Sequence, residues 1–293
     1  MVISDVWRTL YTNNFNTDKY LYHYTNFESA LKILDTNKLL FSKINNTNDP
    51  SESKVKIVFE PDTPDYNKCI ENITLITNYF SDCNRLVQLL CFSMDTKFKN
   101  ETCSEIISKM NPKELYYNIS GRGFALPRMW AQYGENNHGV CFIINKEKFS
   151  KLVDEYTTLH EAKPVEYKNF YDCYLMTDRK INKLIKKISN VSNGEFAYIE
   201  MLKAHDDFIN YNFFEKNQNW QNENEYRVLA FVADKASNER LAIPEILTCL
   251  EGIVLGEKTD ETNEKIIKLF VNSLGLEIDV KRITFNNRLY MLI

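Results

Sequence analysis

Apolar residues in this chain are parcelled into short runs, and that restricts its fold more than any other feature. Runs of strand length recur at 85–93, 138–145, 225–232 and 252–256, separated by stretches of helical period in no regular alternation. Val140, Cys141, Phe142, Ile143 and Ile144 are continuous, which predicts a strand buried on both faces. Tyr226, Val228, Ala230 and Val232 alternate with a second face, the two-residue period of a strand. Regular β–α alternation would build a doubly wound parallel sheet; irregular order predicts a mixed α+β core.

Local chemistry sets the expected elements. Tyr20–Tyr24 reads as a strand. Asn26 follows as a helix cap, and Phe27, Ala30, Leu31 and Leu34 recur at helical spacing up to a stop at Asn37. Lys38–Ser42 reads as a strand and Asn45–Pro50 as a polar turn. Further helices are expected over Asp65–Asn84, Pro127–Tyr133, Phe149–Tyr156 and Thr262–Ser273, and a strand over Ala162–Tyr167. Asp172–Ile188 and Glu195–Phe214 read as two long helices forming a hairpin on one side of the sheet. Leu276–Phe285 and Leu289–Ile293 read as a terminal hairpin across Asn286 and Asn287. With 8 Gly, 7 Pro and no linker-like run in 293 residues, one domain over 1–293 is expected. No internal repeat is evident.

Composition narrows the function classes. The formal net charge of −4 supplies no general basic face for nucleic acid. Lys180, Lys183, Lys186 and Lys187 stand at helical spacing and read as a solvated stripe. The seven Cys are odd in number and lack CxxC spacing, against a disulfide framework or a structural zinc. Cys91 and Cys141 read as small core residues. Met1–Leu10 is not patterned as a signal peptide, and no window is apolar enough to span a membrane. The expected setting is a reduced, bacterial cytoplasm.

Dinucleotide, P-loop, serine-hydrolase and zincin motifs are missing. Four His make a multi-His metal site an unfavoured reading, and no metal is expected. The polar candidates each have two readings. His23 ends the first strand just before a helix start, where it either meets a ligand or is satisfied by a carbonyl. Asn48-Asp49-Pro50 with Glu52 is a turn, or it presents the Asn48 amide to a ligand. Trp130 and Tyr133 sit before a buried strand, to pack in the core or to stack on a flat ring. Glu223 and Glu225 share a face if the following strand starts early. Glu225 is then either a rim ion pair with Arg227 or the fixed carboxylate that steadies an oxocarbenium-like centre.

Tyr22-His23-Tyr24-Thr25, Phe41-Ser42, Asn48-Asp49-Pro50 with Glu52, and Cys91-Phe92-Ser93 are followed in order by Met129-Trp130 with Tyr133, His138–Phe142 and Glu225-Tyr226-Arg227. In that order they resemble a bacterial family catalogued as domain of unknown function 2971, with 59–84 and 172–214 as its variable helical parts. More distantly, His-Tyr-Thr on a first strand, Ser after a short strand and Glu opening a late strand resemble the ADP-ribosyltransferase superfamily of His-Tyr-Glu type. That resemblance implies a mostly antiparallel split sheet with flanking helices and NAD bound as substrate in the cleft. It implies that His23 holds the adenosine-side ribose, that Tyr133 or Ser42 takes the middle position, and that Glu225 holds the nicotinamide ribose. Tyr24, Thr25, Asn48, Trp130 and Arg227 would line the same site. ADP-ribose would pass to an unknown macromolecular or small-molecule acceptor, or to water, in a toxin or phage-defence effector with an antitoxin or sensor as partner. A non-catalytic nucleotide- or protein-binding module and a nuclease are the alternatives.

Overall fold

The structure, a computed structural model, describes residues 18–49, 51–52, 54, 57–60, 70–71, 74, 77–78, 84, 86–96, 121–157, 160–169, 174–177, 206–232, 239–286 and 289–293. Its first elements are β1 (Tyr20–Thr25), α1 (Phe27–Thr36), β2 (Lys38–Leu40), β3 (Ser42–Lys43), β4 (Ile57–Glu60) and β5 (Val87–Ser93). Then come α2 (Pro127–Gln132), β6 (Val140–Asn145), α3 (Lys146–Tyr156), β7 (His160–Pro164), β8 (Glu166–Lys168) and β9 (Tyr174–Thr177). The chain closes with α4 (Asp206–Phe213), β10 (Glu215–Asn217), β11 (Glu225–Phe231), β12 (Ala242–Pro244), β13 (Leu250–Leu255), α5 (Glu261–Ser273), β14 (Val280–Asn286) and β15 (Leu289–Leu292).

Caps set the helix ends. The Asn26 side chain accepts a hydrogen bond from Ser29 N at 2.7 Å, and Asn37 ends α1 in the left-handed conformation, φ 53°. Asn145 caps α3 by accepting from Lys148 N, so this helix opens at Lys146 and not at Phe149 as its apolar period suggests. Asp260 caps α5 in the same way.

The sheet runs in the order β15-β14-β13-β6-β1-β5-β11-β7, with β3 added along β5. Only β13–β14 is parallel within it, so the architecture is mixed α+β around an open, mostly antiparallel sheet. Five consecutive residues of β6 are buried, as the apolar run predicted. Phe142 and Ile144 join the larger core with Leu34, Phe92, Val228, Ile253 and Ile267; Cys141 and Ile143 join a second core with Phe124 and Trp130. Each such aliphatic or aromatic side chain is worth about 1.5–3 kcal/mol of burial.

Three expectations change. Lys38–Ser42 is two strands: β2 pairs β12 and β3 pairs β5, because the buried Phe41 between them turns the chain and its N–H bonds Leu241 O. Ala162–Tyr167 breaks at Val165, whose N–H bonds Glu225 O, so β7 pairs β11 while β8 pairs β10. Residues 174–177, expected in a helix, form β9 parallel to β4; strand pairing overrides local propensity. Of the helix expected over 65–84, the described residues 70–71, 74, 77–78 and 84 are helical. The rest of it, most of the 172–214 hairpin, residues 1–10 and the lysine stripe lie outside the described residues.

Between β1 and β5 the sheet parts, and this opens the interior. β1 pairs β6 along its whole length, Tyr20↔Asn145 to Thr25↔Val140. With β5 it pairs at a single position, Tyr22↔Ser93. Past that point the two strands part, and β3 takes up the same edge of β5 again at Leu89. Among the described residues no helix is long and apolar enough to cross a membrane.

Candidate functional site

Where β1 and β5 part there is a cavity of about 780 Å³. That falls within the roughly 300–1,000 Å³ of pockets that enclose whole small ligands. His23, Tyr24, Thr25, Ser42, Asn48, Tyr133, Glu225 and Arg227 all line it. The sequence candidates are thus brought together from separate segments of the chain. Trp130 is the exception and corrects the expectation: it is fully buried in the second core, its Nε1 donates to Phe124 O at 2.8 Å, and its ring meets Tyr24 edge-on. The helical period explains this. Met129 and Tyr133, four apart along α2 and its C-cap, turn toward the cavity, which rotates Trp130 away from it. Tyr24 lines the cavity, while its hydroxyl donates to Gly123 O at 2.7 Å.

His23 crosses the gap. Its Nδ1 lies 3.2 Å from Cys91 O. A carbonyl only accepts, so in the neutral ring Nδ1 carries the proton and Nε2 keeps a lone pair. Burial lowers the His23 pKa from its ordinary value, with the Cys91 carbonyl partly opposing, which favours that neutral ring.

The opposite wall is a buried ion cluster of Glu52, Lys216, Glu223, Glu225 and Arg227. Arg227 grips Glu225 with two bonds, Nε to Oε1 at 2.8 Å and Nη2 to Oε2 at 2.9 Å. The same Nη2 donates to Glu52 Oε1 at 2.6 Å, and Nη1 donates to Phe213 O. Lys216 Nζ stands 2.8 Å from Glu225 Oε2, 2.9 Å from Glu223 Oε2 and 3.5 Å from Glu52 Oε1. The Tyr133 hydroxyl donates to Glu223 Oε1 at 2.9 Å. Glu225 and Arg227 therefore pair in the interior, not at an exposed rim. Glu223 lies in a 3₁₀ turn before the strand; Asn224, at φ 44°, turns the chain so that both acids still converge on Lys216.

Burial alone would raise the Glu225 pKa, but Arg227 and Lys216 overcome it and bring it down to about 2. Lys216 is likewise held well above its ordinary value: burial opposes its charge, and Glu225, Glu52 and Glu223 together outweigh burial. Burial, then Glu223, pushes the Tyr133 phenol up, so it stays a donor. Cys91 is not the core residue its apolar run suggested. It stands opposite Arg227 on β5, lies deep among neighbouring atoms, and is still reached by solvent through the cavity. Burial, then Glu225, raises its pKa, so it remains a thiol beside Glu225.

Lys216 carries no local signal: Glu215-Lys216-Asn217 reads as surface until β10 is placed against β8. Glu52 stood in the Asn-Asp-Pro motif without a role, and Cys91 needed the β5–β11 register. Among the described residues no group of His, Cys, Asp and Glu is arranged to hold a metal ion. The three carboxylates that converge here are spanned by Lys216 and Arg227 instead.

Residues 129–228 match the family described as Protein of unknown function (DUF2971). That segment holds Met129-Trp130, Tyr133, His138–Phe142 and Glu225-Tyr226-Arg227, the later half of the motif order that resembles this family. No curated protein matches the chain. Among solved structures, DarT of Thermus sp. 2.9 in complex with NAD+ aligns with a TM-score of 0.35 and 8% identity, over 89% of this chain and 94% of that one.

Proposed function

We propose that the cavity binds NAD and that the protein breaks its nicotinamide–ribose bond, passing ADP-ribose to an acceptor or to water. One observation supports this above the rest: His23, Tyr133 and Glu225, from three well-separated segments of the chain, line one cavity. The acid cluster counts three carboxylates against two cations, a formal charge of −1. As the C–N bond breaks, its electron pair leaves with the nicotinamide nitrogen and positive charge appears at the ribose carbon. A fixed negative charge in a water-poor wall favours that state. The acceptor's nucleophile then bonds to the ribose carbon and releases its proton to solvent. Glu225 supplies charge that persists down to about pH 2. The neutral His23 Nε2 accepts from a ribose hydroxyl. Ser42 and Tyr133 both stand on the wall for the middle position. The reading extends to a toxin or phage-defence effector in the cytoplasm, a setting that suits the unpaired thiols of Cys141 and Cys249.

The test is incubation with NAD while nicotinamide release is followed. Wild type releases it, and Glu225→Gln loses about a hundredfold in kcat/KM. Equal turnover by both would remove Glu225 from the chemistry. A second reading has its own support: Arg227 and Lys216 already engage both oxygens of Glu225, as suits a module that binds a nucleotide without cleaving it. Calorimetric binding of NAD without nicotinamide release would favour that reading.

A further inference from the structure

We propose that Glu52 presents the carboxylate oxygen that meets the ligand directly, with Glu225 behind it as a fixed charge; this rests on the NAD reading above. The donors in the cluster decide between the two acids. Glu225 accepts from Arg227 Nε on Oε1 and from Arg227 Nη2 on Oε2, and Oε2 is also paired with Lys216 Nζ at 2.8 Å, so both of its oxygens are engaged. Glu223 has Tyr133 on one oxygen and Lys216 on the other. Glu52 Oε1 is held by Arg227, but Glu52 Oε2 is buried with no hydrogen-bond partner.

Lys216 and Arg227 are committed elsewhere. Lys216 faces Glu52, Glu223 and Glu225, one for each of its three N–H groups. Arg227 directs its N–H groups at Glu225, Glu52 Oε1 and Phe213 O. Glu52 nonetheless lines the cavity. A buried carboxylate oxygen without a donor is a standing cost that an entering hydroxyl or amide N–H relieves. Oε2 is covered in this arrangement, and the terminal torsion of Glu is soft, so a small rotation about the Oε1 anchor brings it to a ligand. The partner chemistry is a hydrogen-bond donor at the acidic end of the cavity, which a dinucleotide supplies as a ribose hydroxyl or its carboxamide.

Two variants separate contact from scaffolding. Glu52→Gln keeps an oxygen for Arg227 but turns the free acceptor into a donor. Glu52→Asp keeps the charge and withdraws the oxygen by one methylene. Nicotinamide release, NAD affinity by calorimetry and thermal melting are measured for both and for wild type. The expected result, at a temperature where circular dichroism shows each variant folded, is a loss of about a hundredfold in kcat/KM for Gln and at least about tenfold for Asp, the Asp variant losing activity although it keeps the charge. Turnover within about threefold of wild type in both, or losses that only track melting, would overturn the role of Glu52 and leave the NAD reading standing. If wild type binds NAD without turnover, the catalytic reading fails, and affinity decides: about tenfold weaker binding in both variants supports the contact, and unchanged affinity overturns it. No NAD binding by folded wild type overturns both.

Discussion

Two cations hold three carboxylates in the cavity wall, and a pH dependence arises from how Glu225 titrates there. Its folded pKa of about 2 lies below the ordinary 4.5. A depressed carboxylate stabilises the fold fully above the unfolded value, and that stabilisation is lost as pH falls through 4.5 toward 2. Urea unfolding of wild type should therefore weaken steeply below about pH 4.5, and the slope in that window should be smaller in Glu225→Gln. A flat wild-type profile across the window would contradict the pairing. Removing one partner of a buried pair costs about 3–5 kcal/mol, so the turnover of Glu225→Gln has to be compared at a temperature where circular dichroism shows it folded.

At the scale of elements, the shape of the cavity mouth depends on the way the end of β1 is held. Gly139, just before β6, brings its backbone so close that an added Cβ would lie 2.3 Å from Thr25 O and 2.9 Å from the Gly134 backbone. Those are backbone atoms, which cannot swing aside as a side chain does. Gly139→Ala should destabilise by about 1–3 kcal/mol and, because Thr25 lines the cavity, weaken NAD binding as well. Melting curves and calorimetry check this; an unchanged melting temperature would mean that the backbones can part at no cost. Element ends were legible where their chemistry is local. Asn26, Asn37 and Pro127 mark helix boundaries because an amide cap or a missing N–H acts within one turn. The split at Phe41, the break at Val165 and the strand at 174–177 are set by partners far along the chain, which no local period encodes. For the same reason the sequence pointed to Glu225 and Arg227 but not to Lys216 or to the cavity-facing side of Cys91. Trp130 and Tyr133 were separable only by knowing which side of α2 meets the sheet.

For the whole molecule, the consequence is a sheet that is continuous on both flanks and parted in the middle. β6 ties β1 to β13, and β5 ties β11 and β3, while one residue pair joins the two halves directly. Buried side chains of both cores come from the strands on either side of this seam, and an aromatic, an imidazole and an acid from distant segments are carried into it. The sharpest check is a crystal of the protein saturated with NAD. The dinucleotide should lie between β1 and β5, with a ribose hydroxyl within hydrogen-bonding distance of His23 Nε2 and its nicotinamide end against the Glu52–Glu225 wall. A saturated crystal with that cavity free of dinucleotide, or with NAD on another face, would contradict it.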